Sequence, residues 1–225
     1  MKSNPEPITL FFDYDGTLHE CIRIYAPAFR KVYQEMVAAG IAQPRQFSEA
    51  ELCQWLGLSV PDMWNKFMPD LAQSLKDHYS SRIGEEMLQL ILDGSAALYP
   101  GTEETLDALK SQGCQMVFLS NCLRSYMEAH QQAFQLDRYF SAFFCAEDFP
   151  GHAKWEIYQT VRSQFPGRHV IIGDRKQDLE CAEHFGLPFV GCSYGYSFPG
   201  ELADATLLIS SVTDLVSAVA TVTET

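Results

Sequence analysis

The chain lacks several things that would decide its class quickly. It has no C-x-x-C pair, and its seven cysteines, at 21, 53, 114, 122, 145, 181 and 192, are odd in number and scattered. They read as free, mostly buried thiols of a reducing compartment, not as a disulfide framework or a zinc site. No apolar run approaches membrane-spanning length, and the opening "MKSNPEP" has prolines where a signal peptide would carry its apolar region. A cytoplasmic protein with no membrane partner is expected. Basic charge is also scarce: 16 Lys and Arg stand against 29 Asp and Glu, a formal net charge of −13. A nucleic-acid or anionic-membrane surface needs a basic face, so both partners are disfavoured, although a local basic pocket can still take a small anion. Internal repeats and low-complexity segments are absent as well.

What is present is a packed globular composition, 47% hydrophobic and 20% charged over 225 residues. Six short, continuous apolar runs read as strands covered on both faces: Ile8–Phe12, Gln115–Leu119, Phe143–Cys145, His169–Ile172, Phe189–Gly191 and Ala205–Ile209. Helical segments separate most of them. Thr102 reads as the cap of "EETLDALKSQ" with Gly113 as its stop, and Gly186 stops a helix over 177–185. Further helices are expected over 125–134, 155–164 and 212–219. The alternation predicts an α/β fold, a Rossmann-like doubly wound parallel sheet whose ligand site lies beyond the carboxyl ends of its strands.

Residues 19–98 break that alternation. They read as helices over 27–39, from the Ser48-x-x-Glu51 capping box to Gly57, then over 63–68, 71–80 and 83–92, with Pro69 dividing the third from the fourth. An all-helical insertion just after the first strand is expected, leaving 1–18 and 99–225 as the core.

The strand ends carry chemistry. "ITLFFDYDGTL" delivers Asp13 and Asp15, "MVFLSN" delivers Ser120 and Asn121, and "HVIIGDRKQD" delivers Asp174 and, one helical turn on, Asp178. Lys154 opens the helix after the third strand. Carboxylates gathered in one cleft repel each other unless a cation sits among them. Oxygen donors without His or Cys at these positions favour a hard ion, Mg2+ above Zn2+. Lys154 and the Ser120 hydroxyl then suit an incoming phosphate. Each residue alone has a plainer reading, as a turn former, a helix cap or a surface charge. Their conjunction at the ends of expected strands outweighs those readings.

"DYDGTL", "LSN", the isolated Lys154 and "GDRKQD" resemble, in order and spacing, the four motifs of the haloacid dehalogenase-like superfamily. The resemblance runs from Ile8 to about Ile209, and "YPGTEETLDALKSQG" and "GLPFVGCSYGYS" resemble its phosphoglycolate-phosphatase-like branch, with a helical cap inserted after the first motif. It implies Asp13 as nucleophile, forming an aspartyl-phosphate, and Asp15 as the acid and base, its pKa raised beside a metal-bound neighbour. Mg2+ would be held by Asp13, the backbone carbonyl of Asp15 and Asp174, with Asp178 ligating or orienting the shell. Ser120, Asn121 and Lys154 would bind the phosphate, and Ser120 and Lys154 would stabilise charge on the transferring group. The dehalogenase branch lacks an acid at the position of Asp15, because a halide leaves without a proton.

The implied activity is hydrolysis of a small phosphomonoester from a phosphorylated metabolite. A phosphosugar mutase using the same residues, and a non-catalytic phosphometabolite-binding protein, remain as alternatives. For His19, which follows the first motif directly, and for His130, His169 and His184, a structural role is expected. The same holds for Cys122 as a buried thiol, and for Trp55, Trp64 and Phe67 as core of the helical insertion.

Overall fold

The computed structural model describes residues 6–224, so most of the proline-bearing start that argued against a signal peptide lies outside the described residues. Six strands form one parallel sheet in the order β3-β2-β1-β4-β5-β6. They are β1 (Ile8–Phe12), β2 (Gln115–Ser120), β3 (Phe140–Cys145), β4 (Arg168–Gly173), β5 (Phe189–Cys192) and β6 (Leu207–Ile209). This is the doubly wound order, in which β1 stands at the centre between β2 and β4 and the connections diverge to either side of it.

Alternate residues of β1 feed two cores. Leu10 and Phe12 pack on one face with α5 (Thr102–Ser111), α6 (Arg124–Ala133) and α9 (Leu215–Thr223), through Leu106, Leu109, Met127, Leu215 and Val219. Phe11 packs on the other face with α7 (Lys154–Val161) and α8 (Lys176–Phe185), through Ile157, Tyr158, Val161, Leu179 and Ala182. Burial on both faces explains why these strands are apolar throughout instead of alternating.

The chain divides into two compact units, Met1–Glu20 with Leu98–Thr225, and Cys21–Ala97. The second is built from α1 (Ile22–Ala38), α2 (Glu49–Cys53), α3 (Val60–Phe67) and α4 (Gln73–Leu92). Its interior is aromatic. Phe29 lies 4.9 Å from Trp55, 5.2 Å from Phe47 and 5.3 Å from Phe67 between ring centroids, and the buried Trp64 donates its indole N–H to Ser80 Oγ at 2.7 Å. Ion pairs Arg82–Glu35 (3.0 Å) and Lys31–Glu86 (2.5 Å) join α1 to α4.

Two helix expectations are corrected. The segments 71–80 and 83–92 are one continuous helix, α4, because Ser81 and Arg82 carry no breaker and Arg82 bonds Glu85 and Glu86 along the same face. Thr102 is the first residue of α5 and not its cap. Gly101, at φ +85°, occupies the cap position, while the Thr102 hydroxyl donates to the Tyr99 carbonyl at 2.7 Å. The Ser48–Glu51 capping box and the left-handed Gly186 at the end of α8 are as expected.

Candidate active site

Strand register assembles the site. The β1–β4 ladder pairs Phe12 with Ile172, and the Asp13 N–H extends it by one bond to the Ile172 carbonyl at 2.8 Å. Asp13 therefore stands beside the end of β4, where Gly173 gives way to Asp174. Asp178 lies in the first turn of α8 and turns back, one carboxyl oxygen accepting the Arg175 N–H at 3.0 Å. Lys154, the first residue of α7, reaches the same point from the neighbouring helix on that face of the sheet. Its ammonium donates to Asp13 Oδ1 at 2.8 Å and to Asp178 Oδ1 at 2.5 Å.

Asp13, Asp174 and Asp178 each offer an oxygen within 4.8 Å of the others, and all three are buried. This is costly without a cation. Burial, then the charges of Asp13 and Asp178, push the Asp174 carboxyl well above the usual carboxylate range. Burial and Asp13 likewise push Asp178 up to about 6, although Lys154 works against the shift. Lys154 shows the converse: burial disfavours its charge, but Asp13 and Asp178 lift its pKa above the usual lysine value. Three carboxylates against one ammonium leave an excess of buried negative charge, and the donors are all hard oxygens, so the residues fit a divalent cation such as Mg2+.

The backbone around Asp174 is shaped to the carboxylate. A Cβ on Gly16, whose φ is +81°, would come within 2.2 Å of Asp174 Oδ2, and one on Gly195 within 2.4 Å of the same side chain. Tyr196 N–H donates to Asp174 Oδ2 at 2.6 Å, and the Thr17 hydroxyl reaches Oδ1 at 3.5 Å. Glu201 fastens the loop after β5 to the start of α8, accepting the N–H of Phe198 (2.7 Å), the N–H of Lys176 (2.7 Å) and Arg175 Nε (2.8 Å).

Asp15 stands apart from this cluster. Its carboxylate takes His19 Nδ1 at 2.7 Å and the Tyr126 hydroxyl at 2.8 Å, both on Oδ1. Burial would raise its pKa, but the bond to His19 and that residue's charge outweigh it, with His130 and Tyr126 adding to the effect, and hold the carboxyl below the usual range. The resemblance implied a raised pKa for Asp15 beside a metal-bound neighbour; without a metal ion, the donors beside it favour the ionised form. His130, buried and hydrogen-bonded through Nδ1 to Tyr14 OH at 2.9 Å, is pushed down to about 3 by burial and by His19. Ser120, buried, ends β2, and Asn121, exposed, follows it.

The structure thus brings together Asp13, Lys154, Asp174 and Asp178, sets Asp15 on its own pair of donors, and places Ser120 and Asn121 at the same end of the sheet. The sequence reading gave His19 a structural role and passed over Tyr126. The one available signal was the four-residue spacing from Asp15 to His19, which lets a short turn fold the ring back; Tyr126 is distant in sequence and had none. His169 and His184 are structural, as expected: His169 bonds Tyr158 OH and the Phe165 carbonyl, and His184 stacks on Trp155. Burial, then Asp15 and Cys145, push the Cys122 thiol well up, which keeps it protonated and unreactive.

Comparisons with known proteins agree. A family model described as haloacid dehalogenase-like hydrolase matches residues 10–192. Phosphoglycolate phosphatase of Haemophilus influenzae is 30% identical over 203 residues, 83% of this chain and 86% of that protein. The enzyme of the same name from Pasteurella multocida is 24% identical over 207 residues, covering 86% and 89%. Among solved structures, one described as a predicted phosphoglycolate phosphatase from Haemophilus somnus superposes with a TM-score of 0.78 at 20% identity, covering 97% of this chain and 100% of that one.

Proposed function

The chain belongs to the haloacid dehalogenase-like hydrolases, and from that premise we propose that it is a Mg2+-dependent phosphatase cleaving a small phosphomonoester through an aspartyl-phosphate on Asp13. The observation that carries this reading is the convergence of three buried carboxylates and one ammonium at the carboxyl end of the sheet. Asp13, Asp174 and the Asp15 backbone carbonyl would hold the ion, with Asp178 ligating it or orienting its shell. Bound there, Mg2+ supplies positive charge that offsets repulsion between carboxylates and phosphate.

Asp13 Oδ1 is held by Lys154, while Oδ2 has no hydrogen-bond partner among the described residues and is the oxygen available for attack. An Asp13 oxygen bonds to phosphorus as the ester P–O bond breaks, and Asp15 gives its proton to the departing oxygen. A dianionic phosphate beside Asp15 raises that residue's proton affinity, reversing the depression set by His19 and Tyr126. In the second step water attacks phosphorus, its proton passes to Asp15, and the Asp13–phosphorus bond breaks to release phosphate. Lys154 holds Asp13 in place, and Ser120, Asn121 and Lys154 bind the phosphate oxygens. The helical unit Cys21–Ala97 would serve as a cap that closes over substrate and helps select it.

The relatives' name makes phosphoglycolate the first substrate to try. Phosphate release from phosphoglycolate, sugar phosphates and nucleoside monophosphates, with and without Mg2+, tests the reading. Release that requires Mg2+ and is lost in Asp13→Asn is expected. No release from any ester contradicts hydrolysis, and phosphosugar isomerisation without free phosphate would identify a mutase instead.

A further inference from the structure

Two donors meet on one oxygen of Asp15. His19 Nδ1 lies 2.7 Å and Tyr126 OH 2.8 Å from Oδ1, and the two donors lie 3.3 Å from each other. Oδ2 of the same carboxyl has no partner among the described residues. Resting on the phosphatase reading above, we propose that His19 and Tyr126 are positioning residues: they fix the rotation of the Asp15 carboxyl so that Oδ1 is held and Oδ2 is presented to the leaving-group oxygen.

The surroundings are built for this. His19 is fully buried, whereas the Asp15 side chain is 31% exposed, so the holder is enclosed and the held group is open. The turn after Asp13 is wound tightly, with the N–H groups of Thr17, Leu18 and His19 all donating to the Tyr14 carbonyl. That places the His19 ring parallel to Tyr14, at 5.4 Å and 12°, and against His130 at 4.3 Å. Tyr126 in turn packs on His130 at 4.4 Å, and His130 bonds Tyr14 OH. A ring of four aromatic side chains thus sets the two donors and leaves them little freedom to follow another rotamer of Asp15.

The arrangement has a cost the fold alone does not explain. His19 Nε2 and His130 Nε2 are sealed from solvent without a hydrogen-bond partner among the described residues. A buried polar atom left unpaired is destabilising, so an apolar residue at either position would pack more cheaply. What His19 gains at that cost is its Nδ1 contact with Asp15, and what His130 gains is its bond to Tyr14 OH. Carboxyl rotation is a soft torsion, and a general acid with a freely turning carboxyl spends part of its time aimed away from its substrate.

The test separates positioning from mere support. An alkoxide leaves only with a proton, whereas p-nitrophenolate leaves without one. With Mg2+ present, we compare kcat on an alkyl phosphate (phosphoglycolate, or whichever ester of the panel above is turned over fastest) with kcat on p-nitrophenyl phosphate. In Tyr126→Phe the alkyl-to-aryl ratio should fall about tenfold, the loss of one hydrogen bond to a charged group. His19→Asn should lower it in the same direction, with thermal melts confirming that both variants fold. In an Asp15→Asn background, Tyr126→Phe should change the ratio by less than about twofold, since the group it orients no longer carries a proton. An unchanged ratio in both single variants, an equal loss on both esters, or the same Tyr126 effect without Asp15 overturns the proposal. So does a wild-type protein that hydrolyses the aryl ester alone. If wild type releases phosphate from neither ester, it is the phosphatase reading that fails, and the inference falls with it.

Discussion

At the scale of single residues, the site is defined by how charge is divided. Asp178 and Asp174 carry the burden of crowding, and Asp15 is relieved of it by its own donors. This has a consequence for pH. Without a metal ion, burial and the charge of Asp13 push the Asp178 carboxyl up to about 6, against roughly 3.9 when unfolded, so between those values the native state binds more protons than the unfolded chain. Its contribution to stability is complete below about pH 4 and declines as pH rises towards 6. The melting temperature of wild type relative to Asp178→Asn, measured in chelator, should fall across that window, and saturating Mg2+ should flatten the trend. A difference that grows with pH would contradict the crowding. Single residues are also where the sequence was most informative. Asp13, Asp15, Asp174, Asp178 and Lys154 each sit at the end of a recognisable apolar run or the start of a helix, so their place was legible. The protonation bias of Asp15 was not, because it is set by a turn that folds His19 back onto the carboxylate, with His130 and Tyr126 adding to it from over a hundred positions away.

At the scale of elements, the strands were legible because burial on both faces leaves no polar residue to interrupt them, and their ends were marked by the carboxylates themselves. Helix limits were harder to read. Nothing local separates one 20-residue helix from two shorter ones when the joining residues, Ser81 and Arg82, are neutral to helix and Arg82 bonds both Glu85 and Glu86 on its own helix and Glu35 on the neighbouring one. The tight junctions were invisible in sequence, since a glycine does not announce which side chain fills the space it leaves. Gly195 is the clearest case. Its missing Cβ makes room for Asp174, and Gly195→Ala would force the loop after β5 outward or turn that carboxylate away. We expect at least a tenfold loss of Mg2+ affinity by calorimetry, on the order of 1.4 kcal/mol, with the fold retained. Unchanged affinity would mean the cradle is incidental.

At the scale of the whole molecule, the residues of the candidate site lie in one unit, Met1–Glu20 with Leu98–Thr225, while Cys21–Ala97 has an aromatic interior of its own. Damage to that interior should therefore stay within it. Phe29, 2% exposed, touches Phe47, Trp55 and Phe67, and Phe29→Ala should destabilise the helical unit by about 3–5 kcal/mol. Denaturant melts followed by tryptophan fluorescence should record the loss, while Mg2+ affinity under native conditions stays within about twofold of wild type. A parallel collapse of metal binding would show that the two units are energetically one.

The most direct measurement for the central claim is a covalent one. The protein is mixed with a radiolabelled phosphomonoester and Mg2+, quenched in acid within a single turnover, and digested, and the label is located by peptide. The account predicts label on the peptide that contains Asp13, none in Asp13→Asn, and none when Mg2+ is withheld. Rapid phosphate release with no label on that peptide, or full turnover by Asp13→Asn, would contradict it.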